Sequence, residues 1–461
     1  MAEWLNRYVF GVAVPVLLIL GGLFYSVRLK FFYLCRPKKL LGALTEREPG
    51  SGISSFRALT LALAGTLGVG NIVGVSAAIW LGGAGAVFWM WISALCAMVL
   101  KYAEIVLAMR HRRFDAEGNP HGAAMDYIRF FFHSHGLRLA GTLAAGAFAL
   151  LCILNSLTMG SMLQINAVAD AFSGVFGISP VLTGAVLAVL AAVIIAGGTE
   201  RMTRITEKLV PLMTLGYLLL SAAVLILRHE ALLPALRQIF SEAFSPRSAT
   251  SGIFGFLLSS AVRYGTMRGL ISNEAGCGTA PAAHAVSNCR VPARQGVWGI
   301  FEVFTDTIVL CTLTALVILC NYDTAKLHGG NFIMMTISSY SATLSDFAAY
   351  FMTIAVLFFG FATVICWAHY GCESVAYLTP RPWAKKCFVI LFSASVFLGA
   401  ICAPDVAWQA ADFAVGAMTL INIVVICFLH REVEEETDRY FFPKRRRKGK
   451  EELRQKPKKS I

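Results

Sequence analysis

The segment Gly65-Thr66-Leu67-Gly68-Val69-Gly70-Asn71 stands in the middle of a long apolar stretch, with Gly74 one turn further on. Glycine in a helix interior costs about 1 kcal/mol relative to alanine. Three glycines within six residues, closed by an asparagine, favour local unwinding. The competing reading is a close helix–helix contact through small residues. Unwound backbone inside a membrane must find partners in protein, water or ligand. Here the amides of Val69 and Gly70 would face an anion, helped by the positive end of the following half-helix. The carbonyls of Ala64 and Leu67 would suit a hard cation such as sodium, which prefers oxygen ligands.

A second segment repeats the pattern. SSAVRYGTMRG (259–269) sets Arg263, Gly265 and Arg268 in an apolar frame, and SNEAGCGTAPAAHA (272–285) is rich in small residues and turn formers. Ionisable residues within apolar spans are functional candidates by default. Glu302 and Asp306, four apart, share a helical face; they suit a cation or proton, or pairing with Arg263 or another buried donor. Lys101 and Glu104 read as a structural pair or an inner-gate contact. Glu274, between Asn273 and Gly276, suits gating or turn chemistry. His369 reads as a hydrogen-bonded packing residue, with proton coupling as the alternative.

The elements that hold these residues follow from composition. Of 461 residues, 57% are hydrophobic and 15% charged, and the mean hydropathy is +0.66. A soluble chain carries about a quarter charged residues. The apolar residues come in blocks of roughly 18–25, the length a helix needs to cross about 30 Å of hydrocarbon. Eleven spans are expected, at about 9–27, 56–80, 85–109, 139–172, 181–199, 208–228, 251–271, 295–320, 347–377, 385–403 and 406–429. Segments 122–134 and 231–245 read as surface helices. The first block lacks a basic start and a small-x-small cleavage site, so it is not read as a cleavable signal.

Charge placement fixes the expected orientation. With the loop after the first span cytoplasmic, about 20 Lys and Arg outside the tail fall on that side, Arg268 among them. Five fall outside: Arg7, Arg228, Arg237, Arg247 and Lys326. Positive residues mark the cytoplasmic side, which puts the N-terminus outside and the C-terminus inside. The net charge of +13 is spread through short gaps and the tail, without the basic face and interleaved aromatics of a nucleic-acid binder. The 12 Cys are scattered, with no CxxC pair, and read as small buried apolar residues. No HExxH or GxSxG motif suggests an enzyme. The chain divides into 1–54 (first span and loop), a core at 55–429, and a charged tail at 430–461. Most of the tail is expected to be disordered, with Lys444–Lys448 able to lie on anionic lipid.

The second and seventh spans are five apart, an odd number, so the halves at about 56–228 and 251–429 run in opposite directions. Glycine-interrupted segments at matching places in two inverted halves point to a midplane site. At these residues the chain resembles the alanine or glycine:cation symporter family. The likeness rests on TLGVGNIVGV (66–75), on FWMW (88–91) with KYAE (101–104), on RGLISNEAGCGTAPAAHA (268–285), and on Gln295-Gly296 followed by VFTDT (303–307). It covers about 50–430. The sequence departs from the family at Val69 (often Thr), Ala123-Ala124 (Gly-Pro), Ile271 (Phe) and Ala362 (Thr).

The resemblance implies an all-α integral membrane fold of leucine-transporter type, one N-terminal span plus a 5+5 inverted repeat with two broken helices. It implies sodium-coupled symport of alanine or glycine by alternating access, in a plasma membrane. A proton-coupled carrier, or one for another small solute, is the alternative of the same fold. Val69 and Gly70 would then hold the substrate carboxylate, with Thr66, Gly68 and Asn71 around them, and Gln164 would lie at the substrate. Opened backbone at Tyr264 and Gly265 would accept from the ammonium. Ala64, Leu67 and Thr363 would ligate sodium, and the hydroxyl missing at Ala362 bears on that coupling. No cofactor is implied beyond the co-transported ion, and no protein partner or nucleic acid.

Overall fold

The computed structural model describes residues 10–46, 52–114, 118–244 and 260–443. Residues 251–259, where the seventh span was expected to begin, and the Lys444–Lys448 run lie outside the described residues.

The chain is a bundle of helices. In order they are α1 (Gly11–Arg28), α2 (Pro37–Thr45), α3 (Ser55–Thr66), α4 (Val73–Gly82), α5 (Gly85–His111), α6 (Ala124–Ser134), α7 (Arg138–Leu157) and α8 (Leu163–Phe176). There follow α9 (Pro180–Ala196), α10 (Gly198–Leu227), α11 (His229–Ala243), α12 (Ser260–Asn273), α13 (Ala280–His284), α14 (Pro292–Val303) and α15 (Thr312–Cys320). The last are α16 (Phe332–Leu378), α17 (Pro382–Ile401), α18 (Asp405–Phe428) and α19 (His430–Phe441). A two-residue hairpin pairs Arg113 with His121 before α6. Among the described residues, eight helical stretches are long and apolar enough to cross a membrane, and a bent pair, α3 with α4, makes a ninth. The α9 helix, of 17 residues, and α12, of 14, are shorter.

The outer surface is apolar. Leu139, Leu143, Leu150 and Leu154 line an exposed stripe of α7, and Leu212, Leu215, Leu219 and Ile226 one of α10. Charge lies inward: Lys101, Glu104, Glu302 and Asp306 have no exposed surface. That inversion suits a solvent of hydrocarbon, which offers polar groups nothing to bond. Arg28, Arg110, Arg138, Arg201 and Lys385 gather at helix ends that define a basic end of the bundle.

Two spans carry π-helical turns, at Thr158–Met162 between α7 and α8, and at Phe304–Cys311 between α14 and α15. The first precedes Gln164 and the second contains Asp306, and such turns release backbone groups and re-aim side chains.

Four features differ from the sequence expectation. First, α16 begins at Phe332 rather than near 347 and turns sharply at Ser345, whose φ is 58°. The added piece runs through Ser338, Ser339 and Tyr340, which are buried and bonded within the fold. Second, α12 runs unbroken through Tyr264 and Gly265. Third, Arg268 is not at the basic end. Its helix lies along the first half of α5, where Gly265 meets Ala86 and Gly269 meets Met90 and Ser93. Its guanidinium stacks 4.6 Å from the Trp408 ring. Fourth, the start of the tail is ordered as α19. Val433, Thr437 and Phe441 form an i, i+4, i+8 stripe that is buried. Around it, Glu432 and Glu435 pair with Arg110 at 2.9 and 3.1 Å, and Asp438 with Lys30 at 3.0 Å. Each partly exposed pair contributes at most about 1 kcal/mol; the apolar stripe fixes the docking.

Candidate functional site

The second span breaks where the glycines stand. α3 ends at Thr66, Leu67 leaves helical geometry at φ −76°, ψ 58°, and Gly68 is fully extended at φ −103°, ψ −162°. A short 3-10 turn at Val69–Asn71 precedes α4, and the two halves meet at 56°.

Side chains from two other spans close on this break. The Val69 amide donates to Gln164 Oε1 at 2.9 Å, and Gln164 Nε2 donates to the Met159 carbonyl in the π-turn at 3.0 Å. The Thr363 hydroxyl lies 2.9 Å from the Ala64 carbonyl and 3.1 Å from that of Phe359, within donating reach of either. Gly68 has no room for a side chain: a Cβ there would fall against Thr363 Oγ1 and 2.9 Å from Gln164 Oε1. Gly360 lets α16 approach, since a Cβ there would sit 2.9 Å from Val168 and 3.3 Å from Val69. Over the break lies a small pocket bounded by Gly65, Gly68, Gly70, Gln164, Ile271 and Trp408 among others.

Two acids clasp the break from the eighth span. Glu302 Oε1 accepts from Thr66 at 3.3 Å, and Asp306 Oδ1 accepts from the Asn71 amide at 2.7 Å. Asp306 Oδ2 also accepts from Ser272 and Thr307 at 2.8 and 2.7 Å. Arg263, their expected partner, instead lies 4.5 Å over the ring of Tyr264. Glu302 pairs with Lys101 at 2.6 Å and with His284 at 3.1 Å. Lys101 therefore joins Glu302 and the Asn273 carbonyl (2.6 Å) rather than Glu104.

The seventh span does open, ten residues beyond Tyr264. Helix α12 ends at Asn273, and six non-helical residues lead to α13, with Glu274, Gly276 and Gly278 at φ of 54°, 86° and 81°. Positive φ is costly for a side-chain-bearing residue such as Glu274, whose oxygens accept from Trp367 at 2.9 Å and Thr279 at 2.7 Å. Gly265 instead packs against Ala86 and Trp89. The backbone at Tyr264 and Gly265 is thus spent on helix bonds; the run of Ser, Asn and Gly after it carries the interruption. His369 is buried, with Nε2 at 3.1 Å from the Ala282 carbonyl.

The structure thus brings together Ala64, Thr66, Gly68, Val69, Gly70, Asn71, Gln164 and Thr363, with Leu67 at the bend. It leaves Tyr264 and Gly265 apart. The cavity walls supplied by Ile271, Met159, Leu163 and Trp408 carried no signal, since an apolar lining residue looks like any other residue of a span.

The sequence profile of the sodium:alanine symporter family matches residues 1–456. The sodium/alanine symporter AgcS of Methanococcus maripaludis is 36% identical over 446 residues, 95% of this chain and 96% of that one. The probable sodium/glutamine symporter GlnT of Bacillus subtilis is 32% identical over 435 residues, 93% of this chain and 87% of that one. Among solved structures, MhsT in complex with L-phenylalanine aligns over 86% of this chain and 100% of its own, with a TM-score of 0.52 at 13% identity. A manganese transporter of Eremococcus coleocola aligns over 84% and 79%, with a TM-score of 0.53 at 14% identity. These likenesses show a leucine-transporter-like fold. With a profile spanning nearly every residue and relatives matched end to end, this chain belongs to the sodium:alanine symporter family, whose members are membrane transporters and not enzymes.

Proposed function

We propose that the chain carries a small neutral amino acid, alanine or glycine, inward together with sodium by alternating access. One observation carries the reading: at the break, the Val69 amide and the Ala64 carbonyl lie side by side, each met by a side-chain oxygen from another span. The neutral Gln164 Oε1 holds the amide, and a substrate carboxylate, carrying full charge, would displace it because charged acceptors bond more strongly. Gln164 would then turn its amide toward the substrate. Sodium would take oxygen from Ala64, Leu67 and Thr363, with the Phe359 carbonyl beside them. Ala362 offers no hydroxyl, which leaves Thr363 as the side-chain ligand from α16.

The lining of the pocket supports a small side chain. Gly65, Gly68 and Gly70 contribute to it, and Met159, Leu163, Ile271 and Trp408 crowd it. Sodium bound across α3 and α16 would order the same break that holds the carboxylate, and coupling of that kind is reciprocal. The excess of Lys and Arg at the basic end supports a plasma-membrane orientation with that end cytoplasmic.

The test is uptake of labelled alanine into proteoliposomes under an imposed sodium gradient, with potassium as control and glycine, glutamine and leucine as competitors. Accumulation that needs sodium and that glycine competes supports the reading. Uptake driven by a pH jump and indifferent to sodium would overturn the coupling; stronger competition by glutamine would overturn the substrate class.

A further inference from the structure

The basic half of the bundle buries more negative charge than it neutralises. Around the interruption of the seventh span lie three carboxylates, Glu104, Glu274 and Glu302, each at most 2% exposed. One ammonium, Lys101, faces them, already bonded to Glu302 at 2.6 Å. The other candidate cation is His284. Its Nδ1 is met by the Gln295 amide nitrogen at 2.9 Å, and Gln295 Oε1 is held by the Ser55 hydroxyl at 2.6 Å. His284 Nε2 lies 3.1 Å from Glu302 Oε2. Both candidate cations thus meet Glu302, which leaves Glu104 and Glu274 with no ion pair among the described residues.

Those two are bonded differently. Both oxygens of Glu274 have partners, Trp367 and Thr279. Glu104 is lopsided. Its Oε1 accepts from the Gly278 amide at 3.0 Å and from the Asn422 amide. Its Oε2 is fully buried and has no partner among the described residues. A bare charge there costs more than an unpartnered hydroxyl. The neutral acid is the cheaper state, and Oε2 is the atom left to carry the hydrogen.

We propose that Glu104 is a proton-binding site, and that its proton keeps the interrupted seventh span docked and the basic end closed. Glu104 Oε1 holds the Gly278 amide in the turn between α12 and α13, and Asn422 of α18 bonds both Glu104 and the Gly276 carbonyl (2.9 Å). The Tyr127 hydroxyl donates to Asn422 Oδ1 at 2.6 Å, so the amide presents its nitrogen to Glu104. The other titratable groups facing Glu104 are Lys101 on its own helix, Cys277 on the turn, Tyr127 on α6 and Tyr25 on α1. Removing the proton would leave a bare buried charge against the turn. Water would be drawn in, and the turn would loosen from α5 and α18. The proton would thus leave toward the basic end as that end opens. The inference stands apart from which amino acid is carried, because it concerns the protein without substrate.

Infrared spectra of the purified protein, without amino acid, titrated between about pH 5 and 9, test it. Buried glutamates are documented to hold their protons to about pH 8–9. The wild type is expected to show the C=O stretch of a neutral buried acid at neutral pH, and Glu104→Gln, which copies the neutral form, to lose it. An identical band in Glu104→Gln, or no such band in the wild type, overturns the proposal. Should Glu104→Gln fail to fold, Asn422→Ala serves instead. It removes one donor to Oε1, and the band must then shift in frequency or in the pH at which it disappears; an unmoved band overturns the assignment.

Discussion

Replacing Thr363 by valine removes one oxygen and keeps the shape. The Thr363 hydroxyl sits 2.9 Å from the Ala64 carbonyl and 3.1 Å from the Phe359 carbonyl. The residue is 1% exposed, so no water stands ready to replace the oxygen. In Thr363→Val a methyl group takes its place, and the ion loses its side-chain ligand from α16. Bonds to charged groups are worth roughly 1.5–3 kcal/mol, and each 1.4 kcal/mol is a factor of ten. The sodium concentration for half-maximal alanine binding should therefore rise about 10- to 150-fold. Alanine affinity at saturating sodium should change far less, because the Val69–Gln164 side of the break is untouched. Thr363→Ser keeps the oxygen and should stay within about threefold of wild type. The assay is scintillation-proximity binding of labelled alanine across a sodium titration at constant ionic strength. A sodium midpoint unchanged in Thr363→Val would refute the ligand assignment, and a loss of alanine affinity with no movement of the sodium midpoint would refute the division of the break into an ion side and a substrate side.

Gly68→Ala drives a methyl group against Thr363 Oγ1 and Gln164 Oε1, so sodium-dependent alanine binding should fall at least tenfold; binding within twofold of wild type would place the site elsewhere. Gln164→Ala frees the Val69 amide and removes a group expected to turn toward the substrate, so alanine affinity should weaken about 10- to 100-fold at fixed sodium, in the range of one charge-assisted bond; an unchanged affinity in equilibrium binding would make Gln164 a structural residue. Lys101→Met leaves Glu302 buried without its ammonium, a loss of about 3–5 kcal/mol, and should lower the melting temperature in detergent; adding Glu302→Gln should recover most of it, and additive losses in the double variant would show that the pair does not interact.

What could be read from the sequence was set by how local the signal is. The break at Gly65–Asn71 is local: three glycines and an asparagine in an apolar frame leave few other conformations, and the bend falls there. The lipid-facing spans are local too. The second interruption was misplaced because Arg263, Gly265 and Arg268 look like irregularities along one chain. In space Gly265 is a packing notch for α5, and Arg268 finds the Trp408 ring from α18. Partners that come from other spans have no signature of their own. Lys101 has Glu104 within one turn, yet it reaches Glu302, 201 residues away. The start of the tail was read by its charge, which favours disorder; the Val433, Thr437 and Phe441 stripe, at perfect helical spacing, was there to be weighed against it.

The acids of the eighth span explain why the break can be both unwound and well defined. They hold its two flanks through the Thr66 hydroxyl and the Asn71 side-chain amide rather than through the freed backbone. Glu302 takes Thr66 and Asp306 takes Asn71, one on either side of the gap. The same Glu302 holds Lys101, and Lys101 holds the Asn273 carbonyl where α12 ends. Asp306 reaches Ser272, one residue earlier on the same helix. The two interruptions are therefore joined by two short polar chains, one through Asp306 of the eighth span and one through Glu302 and Lys101 of α5. In the proposed transport cycle, a ligand that moved Thr66 or Asn71 would pull on Ser272 or Asn273 through them.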